Sequence, residues 1–126
     1  MIGNRICAVA LSAAFAMLCF APLASAEPFD GSWNMFVVTT NGHCGTIKVG
    51  LAVSHGHIFS TSGKFVMRPI KVAGIIGASG QTKMNAVAGP RKAEGIGRFT
   101  KVKGTGKWNG TGPSGVCSGY WVAIPS

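Results

Sequence analysis

Metal binding, nucleophilic attack and proton transfer draw on few residues in this chain: His43, His55 and His57, four cysteines and three acids. His55 and His57 lie on one face if the backbone between them is extended, which suits a pair of imidazole ligands. Zinc takes four protein ligands, or three and a water, and no carboxylate stands near this pair in sequence. Loop histidines beside turn glycines are the ordinary reading, and no cofactor is expected. One such histidine would suffice as an axial ligand if the ligand were haem.

Catalysis finds little support. A paired-carboxylate mechanism needs two acids across a cleft, whereas Glu27 and Asp30 stand together in the lead-in and leave Glu94 alone. No Gly-x-Ser-x-Gly elbow leads into a helix. Gly77-Ala-Ser-Gly-Gln-Thr-Lys83 lacks the Gly-Lys-Ser/Thr ending of a phosphate loop. Gly104-Thr-Gly106 has no following helix to offer its amides. The expected protein is not an enzyme.

The cations say more. Arg91, Lys92, Arg98, Lys101, Lys103 and Lys107 fall within 17 residues, opposed only by Glu94, in a chain of net charge +9. Such a run either keeps a face solvated or draws polyanions. Arg98, Lys101, Lys103 and Lys107 straddle one expected hairpin, which would bring them together.

The scaffold that positions these residues begins after a stretch with the marks of an export signal. Arg5 begins it, 6–20 is an apolar run, and Ala24-Ser25-Ala26 is a small-x-small cleavage site. Removing 1–26 takes away Cys7 and Cys19, leaving Cys44 and Cys117, and among cations only Arg5. An exported chain with two cysteines is expected to join them. The product is periplasmic or extracellular, without a transmembrane span after cleavage. It forms one domain at 27–126, of undetermined oligomeric state.

That domain reads as all-β. All but one of the 19 glycines lie beyond the signal, at short intervals, between runs of β type. Expected strands cover 32–40, 46–54, 57–60, 70–78, 81–88, 93–102, 105–110 and 116–124, with 64–68 extended before Pro69. Ile47, Val49, Leu51 and Val53 alternate with Lys48, Gly50, Ala52 and Ser54, a half-buried strand. About eight strands in up-and-down order close into a small antiparallel barrel, filled by side chains or holding one small ligand. Closure sets the first strand beside the last, which brings Cys44 and Cys117 together.

Each tryptophan follows a glycine by two positions: Gly31-Ser-Trp33, Gly106-Lys-Trp108 and Gly119-Tyr-Trp121. A glycine on the same face leaves room for a bulky cross-strand neighbour. Trp33, Trp108 and Trp121 then either pack a core or line an aromatic cup at a barrel mouth. Phe29-Asp-Gly-Ser-Trp33, Cys44, Gly104-Thr-Gly-Lys-Trp-Asn-Gly110 and Cys117-Ser-Gly-Tyr-Trp121 resemble a family of small exported proteins of soil α-proteobacteria. Gly95-Ile-Gly-Arg-Phe99 is similar to a further segment of that family, with Phe for an aliphatic residue. The extra lysines and His55-Gly-His57 depart from its pattern. The resemblance implies export and brings no defined activity, although loose haem or adhesion labels attach to some members. A weaker likeness is to lipocalins and avidins, in which a first-strand Gly-x-Trp helps close one barrel end.

The function expected from sequence is non-enzymatic binding outside the cytoplasm. The basic face would contact envelope polyanions: lipid headgroups, lipopolysaccharide or acidic polysaccharide, rather than nucleic acid. The alternatives are a lipocalin-like carrier of a small apolar ligand, haem included, and an inhibitor or adhesion module acting through loops.

Overall fold

The computed structural model describes residues 28–126, so the expected export signal at 1–26 lies outside the described residues. The strands are β1 (Gly31–Asn41), β2 (Thr46–Ser54), β3 (His57–Ser62), β4 (Lys64–Phe65), β5 (Arg68–Pro69), β6 (Lys71–Ile76), β7 (Gln81–Ala88), β8 (Arg91–Phe99), β9 (Gly104–Gly112) and β10 (Gly115–Pro125). Eight of them close an antiparallel barrel in the order β1-β10-β9-β8-β7-β6-β3-β2, while β4 and β5 pair only with each other. The all-β up-and-down barrel expected from the glycine spacing is the observed fold. β1 pairs with β2 on one side and with β10 on the other, from Trp33↔Pro125 to Asn41↔Ser118, with a bulge between Thr39 and Asn41. Cys44 and Cys117 form a disulfide beside this seam, their Cα atoms 6.3 Å apart.

Period-two alternation decides which side chains enter the barrel. In β2, Val49, Leu51 and Val53 are buried while Lys48 and Ser54 are exposed. In β8, Gly95 and Phe99 are buried while Lys92, Glu94, Ile96 and Arg98 are exposed. Adjacent strands are laced by long ladders except at one place. β3 and β6 share only three residue pairs, His57↔Ile75, Ile58↔Gly74 and Phe59↔Ala73. Beyond them the Ser60 hydroxyl accepts the Val72 amide at 2.9 Å, a side chain standing in for the ladder.

Two of the Gly-x-Trp motifs serve each other. The β9–β10 register sets Trp108 opposite Gly119 and Trp121 opposite Gly106. Each indole therefore crosses the neighbouring strand over the other motif's glycine. Trp121 Nε1 reaches the Ile96 carbonyl of β8 at 3.2 Å, and Trp108 Nε1 reaches the Val38 carbonyl of β1 at 3.0 Å. A Cβ at Gly106 would stand 2.5 Å from Trp121 Nε1 and collide with the Ile96 oxygen. Gly31 works differently: nothing lies within 4 Å of its Cβ position, and it serves a left-handed φ of 130°.

Trp33, Trp121, Phe29 and Phe99 fill the end of the barrel where the described chain begins. The Phe99 ring centroid lies 4.8 Å from Trp33, 5.7 Å from Trp121 and 6.3 Å from Phe29. Trp33 Nε1 donates to the Phe29 carbonyl at 2.9 Å, which folds the lead-in across this end. The two edge-to-face pairs, Phe99 with Trp33 and with Phe29, add about 0.5–1.5 kcal/mol each beyond their burial.

Two expectations need correction at the turns. Residues 64–68 do not continue the barrel wall: they form the small β4–β5 hairpin, whose central Val66 and Met67 have φ of 50° and 67°. β8 stops at Phe99 rather than 102 because Thr100 Oγ1 accepts the amides of Val102 and Lys103 at 3.3 and 3.1 Å and closes the turn. Among the described residues no helix is long and apolar enough to cross a membrane.

Candidate functional site

Opposite the aromatic plug, the barrel interior is open. An apolar cavity of about 110 Å³ is lined there by Met35, Val37, Ile47, Val49, Val72 and Trp108 among others, and by both disulfide cysteines. A second space of about 60 Å³ shares Met35, Val37, Val72, Ala86, Ala93 and Trp108 with it and extends toward Trp121. The sequence reason is plain along β7 and β8, where the inward positions Ala86, Ala93 and Gly95 are too small to fill the lumen.

The rim differs from the lumen in charge. Arg91, at the start of β8, occupies an inward position, is half-buried, and lines the cavity. Its guanidinium carbon lies 5.5 Å from the centre of the Phe65 ring, which the β4–β5 hairpin brings to the mouth. Among the described residues Arg91 forms no salt bridge. A cation over an aromatic face gains about 0.5–2 kcal/mol, and the face leaves most guanidinium N–H groups available. Lys92, the next residue, points outward but borders the same cavity. Thr39, on the inward side one step beyond Val37, has a buried hydroxyl with no hydrogen-bond partner among the described residues.

The cations that form one run in the sequence are divided by the barrel. Arg91 turns into the mouth and Lys92 stands outside it. Arg98 and Lys107 are on the outer faces of β8 and β9, and Lys101 and Lys103 sit in the turn at the plugged end. At roughly 3.3 Å per residue, about 30 Å of strand separates Arg91 from Lys101. Arg98, Lys101, Lys103 and Lys107 do share the β8–β9 hairpin, as expected. Lys83 joins their side of the barrel, because Ile96 pairs with both Lys83 and Lys107.

Of the two readings of the tryptophans, core packing describes Trp33 and Trp121, and a three-tryptophan cup is not assembled. Trp33 and Trp121 are buried in the plug, and Trp108 alone of the three lines the larger cavity. The histidines are also dispersed. His43 lies in the β1–β2 loop at the mouth, and His55 and His57 lie at the plugged end. His55 takes φ of 52° in a two-residue turn with Gly56, so the backbone from His55 to His57 is not extended. Its amide donates to Asp30 Oδ1 at 3.0 Å. Among the described residues no group of three His, Cys, Asp or Glu is placed to hold a metal ion.

No protein-family model matches the chain, and no curated protein matches it. Among solved structures it is similar to a redesigned β-barrel, at 14% identity and a TM-score of 0.53, over 81% of this chain and 95% of that one. At this identity the likeness shows the barrel fold and nothing of function.

Proposed function

We propose that the chain is an exported, non-enzymatic binding protein that takes a small ligand with an apolar body and an anionic end into the barrel mouth. The observation that carries this reading is an apolar lumen whose rim holds Arg91 half-buried and, among the described residues, without a carboxylate partner. A dry apolar cavity of ~150 Å³ accepts benzene, so the adjoining spaces of about 110 and 60 Å³ together suit one ring or a short alkyl chain, at about 0.8 kcal/mol per buried methylene. Haem fits poorly, because drug-sized ligands already need cavities of about 300 Å³ or more. Export draws support from the 1–26 segment and from the disulfide. It predicts a secreted form that begins at Glu27.

Octanoate and octanol test the site by titration. Octanoate is expected to bind about fivefold more tightly, the gain of one partly exposed charged contact. Arg91→Gln should abolish that difference, and Ala86→Phe should weaken both ligands. If neither ligand binds at millimolar concentration, the mouth is not a site of this kind.

A second reading rests on the outer faces of β7 to β9. They carry Lys83, Lys92, Arg98 and Lys107 against Glu94 as the one acid. A soluble acidic polysaccharide would be held there by salt-dependent attraction. Retention on a sulfated polysaccharide matrix should fall with salt and with Arg98→Glu plus Lys107→Glu, and retention indifferent to both would rule this reading out.

A further inference from the structure

We infer that the β4–β5 hairpin is a membrane-seating tip: Val66 and Met67 enter the interface of an anionic bilayer while Lys64, Arg68, Lys71 and Lys92 meet its headgroups. The turn chemistry gives the first ground. Val66 and Met67 form a two-residue hairpin turn with φ of 50° and 67°, a geometry that favours Asn-Gly. A β-branched residue at positive φ is strained. The same protein places His55-Gly56 in its other turn of this shape, with φ of 52° and 77°. At the β4–β5 tip the apolar side chains are kept against the backbone's preference and gain little burial in return. Val66 is 56% exposed and Met67 87% exposed.

Charge gives the second ground. Lys64 and Arg68 flank the tip, and Lys71, Arg91 and Lys92 belong to the same end of the barrel. Neither described acid is there, since Asp30 sits at the plugged end and Glu94 lies partway along β8. An apolar tip ringed by cations matches an interface of acyl chains beneath anionic headgroups. A second copy of this basic chain would meet like charge. Two apolar side chains also fall far short of the roughly 800 Å² per partner that a stable protein interface buries, whereas lipid requires no matching shape. Phe65, the residue before the turn, lines the cavity, so a seated tip turns the barrel mouth toward the bilayer. The inference stands apart from the ligand reading, because it uses the hairpin and not the lumen.

Co-sedimentation with vesicles tests it, comparing phosphatidylcholine alone with phosphatidylcholine containing phosphatidylglycerol. The oxidised, mature chain is expected to bind the anionic vesicles and to be released by salt. Each cation near an anionic surface strengthens binding about fivefold, so Lys64→Gln plus Arg68→Gln should weaken it roughly 25-fold. Val66→Asn plus Met67→Gly installs the favoured turn residues, so the fold is retained, and binding should fall about tenfold with the loss of apolar contact. Ala86→Phe, which fills the lumen, should leave vesicle binding unchanged. The inference is overturned if the V66N/M67G protein binds as the parent does, or if neutral vesicles bind equally at every salt concentration. It is also overturned if sedimentation reveals a tip-dependent dimer, which would make the hairpin a contact between copies.

Discussion

Replacing Gly106 with alanine puts the reciprocal Gly-x-Trp arrangement under direct strain. The new methyl would stand 2.5 Å from Trp121 Nε1 and 2.6 Å from Cε2, and would collide with the Ile96 carbonyl that accepts the indole N–H. Trp121 is 1% exposed and lies against Phe99, and a shift into the adjoining 60 Å³ space would break its bond to the Ile96 carbonyl. Overpacking of this kind costs about 1–3 kcal/mol, and losing the indole hydrogen bond adds about 1 kcal/mol. A total near 3 kcal/mol is a large share of the roughly 5–15 kcal/mol expected of such a domain. It corresponds to a fall in Tm of about 15 °C. Thermal unfolding followed by tryptophan emission measures it. Gly45→Ala is the control, since nothing lies within 4 Å of its Cβ position and only its φ of 71° is compromised; it should cost about 1 kcal/mol. Trp121→Phe in the Gly106→Ala background relieves the ring contact but not the carbonyl one, so the pair should couple by about 1 kcal/mol. A Gly106→Ala protein within about 5 °C of the parent, or strict additivity with Trp121→Phe, would refute the crossing of indole over glycine.

Three further outcomes are expected from the same geometry. Cys44→Ser plus Cys117→Ser opens a loop spanning a sequence separation of 73 residues and should cost up to about 4 kcal/mol by the chain-entropy relation, read by chemical denaturation. Thr39→Val removes the buried hydroxyl that lacks a partner among the described residues and should raise stability by about 1 kcal/mol, a gain that would vanish if that hydroxyl were paired. Hydrogen exchange should be fastest, among barrel-strand amides, around 60–62, where β3 has left β6, and slower at Val72, whose amide the Ser60 hydroxyl accepts; slow exchange at 60–62 would contradict the short ladder.

Legibility in the sequence tracks local chemistry. β2 is fully readable, because its alternation of Val49, Leu51 and Val53 with polar or small residues is the pattern of a wall with one wet face. The cysteine pairing comes from compartment and closure together. The β4–β5 hairpin escapes a sequence reading because Val66 and Met67 carry β-type side chains, while the turn they form depends on a backbone conformation those residues disfavour. Proximity along the chain groups Arg91 with Lys92, yet counting back in twos from Phe99 sends Arg91 inward and Lys92 outward. The cavity itself has only a faint signal, the small inward residues Ala86, Ala93 and Gly95. Their shared void depends on register across strands and not on any one segment.

The bridge between Cys44 and Cys117 and the three-pair ladder between β3 and β6 lie on different seams of one cylinder. Sulfur fixes the join between the first strand and the last, so the wall cannot part where its ends meet. Beyond the three β3–β6 pairs a single backbone bond, from the Ile70 amide to the Gly63 carbonyl at 2.9 Å, spans the gap at the mouth, so this is the most weakly tied side of the wall. The oxidised protein should therefore open most readily on that side, and chemical reduction should make the aperture lose that bias before the barrel itself is lost.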